Sequence, residues 1–194
     1  PMIHLSALGS LPFAASERFF AGTYWSPPSL FRLIDRIGFG IEDVIFVVSL
    51  ASYMSTGYAF FFRRRLIART PANTKGRRLL RAALLVGGTL GLALLLALFG
   101  LHILYGSFIA MGCGTFVILA ARRDLLPGVV FGGLIAVFTY AAVCLIYAGL
   151  RPGVFERVWH TERFIHRFAF GIPVEELVYG FLAGVVASVF YPYV

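Results

Sequence analysis

From Ala82 to Ala121 the chain carries no Asp, Glu, Lys or Arg. A water-soluble fold needs charge on its exposed faces, and an uncharged run of that length reads as two membrane-spanning helices joined by a tight turn. The rest of the sequence agrees. No acidic residue lies between Asp43 and Asp124, 59% of the 194 residues are hydrophobic and 13% are charged, and the mean hydropathy is +0.85. Transmembrane β-barrels show short alternating strands, whereas these apolar runs are continuous. The expected fold is therefore all-α, a polytopic transmembrane bundle forming one domain over residues 1–194.

Splitting the long run near His102–Gly106 gives five spans, at about 40–62, 79–101, 104–121, 126–150 and 172–191. Residues 1–16 are also mostly apolar. The chain starts at Pro1 in the middle of apolar sequence, so this stretch reads as the tail of a truncated sixth span. The net charge of +8 does not point to nucleic acid, because eight of the 17 basic residues fall between Arg63 and Arg81, beside a span. The positive-inside rule puts the basic loop 63–78 in the cytoplasm of a cell (inner) membrane, where it meets anionic headgroups, and Arg122 and Arg123 then fall on the same side. Asp124 reads as the ion-pair partner of Arg123. Cys113 and Cys144 lie inside apolar runs and read as packing residues. The glycine pairs Gly87/Gly91, Gly128/Gly132 and Gly180/Gly184 read as close helix contacts. Trp25, Trp159, Tyr191 and Tyr193 fit an interfacial aromatic belt.

Four of the nine acids form two adjacent pairs, Glu42-Asp43 and Glu175-Glu176, each at the start of a span. Their surroundings repeat, from Gly38 to Phe46 and from Gly171 to Tyr179. Both copies have a Gly four residues before the first acid, an aliphatic residue just before it and an aromatic residue four after it. Three spans separate the two helices, so the copies run parallel and bring both pairs to the outer face. Glu42 and Phe46 then share a helix face, as do Glu175 and Tyr179. If the helices pack together, four carboxyl groups and two aromatics line one cavity. An acid at a helix N-terminus complements the helix dipole and is often only structural. Two such pairs at the hydrocarbon edge point instead to function. Like charges that close in a low dielectric do not both ionise readily, and a carboxyl that keeps its proton at neutral pH is a proton donor. Glu17 falls at the same depth as both pairs and is a candidate fifth carboxyl.

The segment Pro173-Val174-Glu175-Glu176-Leu177-Val178-Tyr179 resembles the Pro-x-Glu-Glu-x-x-Phe sequences of the lycopene cyclase domain family, the integral-membrane type found in heterodimeric or fused carotenoid cyclases. Gly40-Ile41-Glu42-Asp43-Val44-Ile45-Phe46 resembles the same motif, with Gly for Pro and Asp for the second Glu. Glu17-Arg18-Phe19-Phe20, the stretch from Tyr24 to Phe31 and Ile37-Gly38-Phe39 add to the likeness. The resemblance implies redox-neutral ring closure of a membrane-dissolved polyene, the work of an isomerase of the intramolecular-lyase type in carotenoid biosynthesis. It also implies assembly with a second chain or with another copy. In such a reaction an acid protonates the terminal double bond, the neighbouring double bond closes a six-membered ring on the carbocation, and a base removes a proton. Glu175, Glu176, Glu42 and Asp43 are the candidate acids and bases. Phe46, Tyr179, Phe39 and Trp25, with Glu17, are the candidate residues around the substrate, the aromatic faces stabilising a cation.

No Gly-x-Gly-x-x-Gly fingerprint for a flavin follows a strand. No cofactor and no metal are expected. Two other readings compete. A glutamate-pair intramembrane metalloprotease needs histidine ligands on later helices, and no His follows Glu176. A proton-coupled transporter, or a carotenoid-binding protein without chemistry, also needs inward carboxylates. A transporter's acids, however, belong near the midplane rather than at one face.

Overall fold

The computed structural model describes residues 2–63 and 75–194. Among the described residues, five helices are long and apolar enough to cross a membrane: α4 (Ile41–Phe61), α5 (Lys75–Leu98), α6 (Ile103–Ala121), α7 (Leu126–Leu150) and α9 (Val174–Tyr193). Before them lie α1 (Met2–Ala14), α2 (Glu17–Phe20) and α3 (Leu33–Ile37), and α8 (Val154–Val158) sits between α7 and α9. The chain is an all-α multi-pass membrane protein. Residues 64–74, most of the basic loop whose charge set the expected orientation, lie outside the described residues.

The long uncharged run breaks where a glycine permits it. Gly100 has φ +88°, its N–H donates to the Ala97 carbonyl, and Leu101 donates to Leu96. This is a Schellman closure, which satisfies carbonyls at the end of α5. His102 then caps α6, its Nδ1 accepting the Leu104 N–H at 3.2 Å. At the next turn Asp124 pairs with Arg122, at 2.8 and 2.7 Å, rather than with the expected Arg123. The extended backbone at Arg122 (φ −142°, ψ 72°) ends α6, and its side chain reaches forward over the turn.

α9 is the central helix, packed against α1, α4, α6 and α7, and α1 lies along α4. The contact with α7 shows why small residues are needed. A methyl group on Gly184 would collide with Ala136, and one on Gly132 would collide with Ser188. A Cβ on Gly180 would stand 2.8 Å from the Tyr140 ring. Gly128, Gly132, Gly180 and Gly184 are all buried. Gly87 and Gly91 have the same spacing but face nothing within 4 Å, so the expected close contact does not form there. Cys144 is buried, Cys113 is exposed, and both are free thiols.

The connection from α7 to α9 is ordered by its own packing. Phe168–Ala169 and Ile172–Pro173 form a two-residue antiparallel ladder. Phe170 and Gly171, with φ of 56° and 77°, make its turn. Val154, Phe155, Trp159 and Ile172 from this connection join Tyr24, Leu104 and Cys144 in a buried cluster over the same end of the bundle as both acidic motifs.

Candidate active site

The two acidic motifs begin alike. In each, the first acid is the second residue of its helix and the second acid is the third. Glu42 accepts the Leu30 N–H at 3.0 Å, and Glu175 accepts the Ile165 N–H at 2.9 Å. Each first acid therefore ties down the backbone of a connecting segment instead of facing the bundle interior. Glu175 is buried, at 1% exposure.

The second acids differ, and the residue that caps each helix is the reason. Asp43 accepts the N–H of Gly40 at 2.6 Å, the reach-back half of a capping box. Pro173, at the same position before α9, has no N–H. Glu176 instead turns inward and meets three donors. Its Oε1 accepts from the Tyr24 hydroxyl and the Trp159 indole N–H, each at 2.8 Å, and its Oε2 accepts from the Tyr140 hydroxyl. All three partners donate, so both Glu176 oxygens act as acceptors, as in a carboxylate. Burial, and next the Glu176 charge, push the Tyr24 phenol well above its ordinary value, which keeps it a donor.

Glu17 forms the third corner. It accepts from the Trp25 indole N–H. Burial pushes its pKa up to about 8. The Asp43 charge adds to this, the Trp25 bond opposes it, and Glu176 contributes the smallest effect.

These groups meet in a cavity of about 320 Å³. Of the nine residues singled out in the sequence, six line it: Glu17, Trp25, Asp43, Phe46, Glu176 and Tyr179. Glu42, Glu175 and Phe39 do not. The expectation of four paired carboxyls in one cavity is thus replaced by three carboxyls from three different elements. The aromatic at four residues from each first acid does reach the cavity. It shares that face with the second acid, three residues away, because positions three and four apart are both neighbours on a helix.

Tyr24, Tyr140 and Trp159 were not singled out as site residues. Trp159, expected in an interfacial belt, is only 8% exposed and packs against Trp25 with ring centroids 5.2 Å apart and planes tilted by 43°. The indoles of both hold carboxyls. A signal existed for Tyr140: a phenol well inside a span needs a hydrogen-bond partner. The cavity wall also includes Phe46, Val143 and Tyr147, which are 43%, 57% and 42% exposed, so its mouth lies between α4 and α7, facing lipid.

Neither a curated protein nor a solved structure matches the chain. Residues 102–194 match the family model described as lycopene cyclase, a segment that holds Glu175, Glu176, Tyr140 and Trp159 and stops short of Glu17 and Asp43. Over these 93 of the 194 residues the chain is similar to the lycopene cyclase family.

Proposed function

We propose that the protein is a carotenoid end-group cyclase and that Glu17, Asp43 and Glu176 carry its chemistry. The observation that carries the reading is the meeting of these three carboxyls in one aromatic-walled cavity that opens toward lipid. The family match over residues 102–194 supports the substrate class, a lipid-soluble polyene.

Glu17 is the proton donor. Held at about 8 by burial, it is mostly protonated at neutral pH. Its proton adds to the terminal double bond of the acyclic end group, and a tertiary carbocation results. The next double bond supplies the electron pair that closes a six-membered ring, and the cationic centre moves into the ring. Glu176, held by three donors, is the counter-charge to this cation and takes the proton that leaves as the ring olefin forms. The product is an isomer of the substrate, with no electron gained or lost. Passage of a proton from Glu176 to Glu17 restores the starting state, and Asp43, in the same cavity, is placed to relay it. Phe46, Tyr179 and Trp25 present ring faces that stabilise the cation without bonding to it. Glu42 and Glu175 are positioning residues that hold the connecting segments over the cavity.

The test is pigment analysis of lycopene-accumulating bacteria that express the gene. Cyclic carotenoid is expected from the parent and is lost in Glu17→Gln and Glu176→Gln, since removing a general acid or base costs roughly 10²- to 10⁴-fold. Unchanged lycopene beside well-expressed parent protein overturns the reading. Full activity in Glu17→Gln overturns the assignment of the donor.

A further inference from the structure

A second cavity, of about 130 Å³, lies deeper in the bundle, and Phe13, Val47 and Tyr179 line both it and the carboxylate chamber. The two are neighbours across a shared waist. The helix registers show how they continue into one another. On α4 the wall runs Asp43, Val47, Leu50, Met54, and on α9 it runs Glu176, Tyr179, Ala183, Ala187, Phe190. Steps of three and four residues keep each series on one helix face. Glu17, at the start of α2, stands above a third series, Phe13, Ser10 and Ser6, which runs back along α1. Each of the three carboxyls therefore stands at the same end of a long face that carries no other charge.

At 1.5 Å per residue these faces extend about 16 Å below Asp43 and about 21 Å below Glu176. That is more than half of a hydrocarbon core about 30 Å thick. A slot that is narrow, long and apolar, with its carboxyls at one end among the described residues, suits an elongated hydrocarbon whose reacting terminus lies at those carboxyls. A proton path to the opposite face would need a continuous chain of polar groups, whereas of the serine and threonine hydroxyls lining the deeper cavity those of Ser10 and Thr89 are turned to the Ala7 and Leu85 carbonyls of their own helices and that of Ser6 is buried without a partner among the described residues.

We propose that this slot between α1, α4 and α9 binds the polyene chain of the substrate, which threads past Phe13, Val47 and Tyr179 and runs toward the opposite membrane face. The identity of the occupant rests on the cyclase reading. The slot is a site separate from the acids, and Ala183 and Ala51 set its bore. Their side chains are small where the walls face each other, and a ring at either position fills the space.

The test measures lycopene retained by the purified full chain in detergent, by absorbance per mole of protein. The parent is expected to retain pigment. Ala183→Phe and Ala51→Phe lose it by about tenfold, which corresponds to about 1.4 kcal/mol, and Phe116→Ala, at an exposed ring on α6 that lines neither cavity, keeps it. Because a ring added between helices can prevent folding, Ala183→Cys is the second variant. Its thiol lies in the slot, and added lycopene slows its reaction with a small apolar maleimide, measured against the same treatment of the parent. Pigment retained in full by folded Phe variants overturns the proposal, as does a parent that retains none or a thiol that lycopene does not protect. Pigment that is bound through the slot but never cyclised supports the slot and overturns the cyclase reading.

Discussion

Pro173 offers Glu176 no N–H, whereas Gly40 gives its N–H to Asp43 at 2.6 Å. Two helices with the same start thereby aim their third residues at different partners, and the proline is what releases Glu176 to Tyr24, Trp159 and Tyr140. Pro173→Ala supplies the missing donor. Cyclisation is expected to fall by roughly 3- to 10-fold as Glu176 divides its time between cap and cavity, a free-energy difference of about 1 kcal/mol. Thermal stability should change little. Initial rates of the parent and variant, compared with their melting temperatures in detergent, check this.

The proton donor predicts a pH limb. A carboxyl whose pKa is raised to about 8 is active below that pH and is lost above it. With Glu17 as the acid, kcat/KM is flat on the acid side of about 8 and falls tenfold per unit beyond it. A variant with Trp25→Phe loses a bond that favours the ionised form, so its limb shifts to higher pH. Rates in liposomes buffered between pH 6 and 10 test both. A falling limb unaffected by Trp25→Phe assigns the titration to another group.

Tyr140→Phe removes one donor from Glu176 and leaves the ring in place. The buried carboxyl loses a charge-assisted hydrogen bond, and the expected cost is about 1.5–3 kcal/mol in transition-state stabilisation. Phe46, whose ring centroid is 6.5 Å from that of Tyr140, keeps its contact, so KM should move less than kcat. Steady-state kinetics on the two variants Tyr140→Phe and Trp159→Phe separate the two oxygens of Glu176.

The glycines give a paired stability test. Gly184→Ala and Gly132→Ala put methyl groups into Ala136 and Ser188, and each is expected to cost about 1–3 kcal/mol. Gly87→Ala and Gly91→Ala meet nothing within 4 Å. They are expected to be neutral or stabilising by up to about 1 kcal/mol, since Ala is the better helix former. Thermal melting followed by size-exclusion chromatography distinguishes the pairs.

The spans were legible because lipid leaves helices few alternatives, and the expected ends fall within four residues of the observed ones. The break in the uncharged run, expected near His102–Gly106, falls between Leu98 and Ile103, because Gly100 closes the first helix before His102 caps the second. The site was legible only in part. The repeat pointed to both acidic pairs, but not to which acid of each pair faces inward. Phe46 is as near Asp43 at three residues as Glu42 at four, and only the capping bond decides. Tyr24 and Glu176 are 152 residues apart, and no local pattern joins them. Trp159 was misread because a buried indole and an interfacial one look the same in sequence. The Gly87/Gly91 pair fails for a similar reason, while Gly128/Gly132 and Gly180/Gly184 do form contacts: spacing describes one helix surface, and a contact needs two.

The parallel course of α4 and α9 has an electrical consequence. Each helix N-terminus acts as about half a positive elementary charge, and both point at the cavity that holds Glu17, Asp43 and Glu176. The fold thus supplies about one fixed positive unit that no side chain carries and no titration removes. That unit offsets one of the two carboxylate charges, of Asp43 and Glu176, that stand beside the protonated Glu17. In the proposed reaction Glu17 makes the carbocation and a new carboxylate together, and Glu176 removes both a proton and its own charge, so the net charge of the chamber stays constant from start to finish.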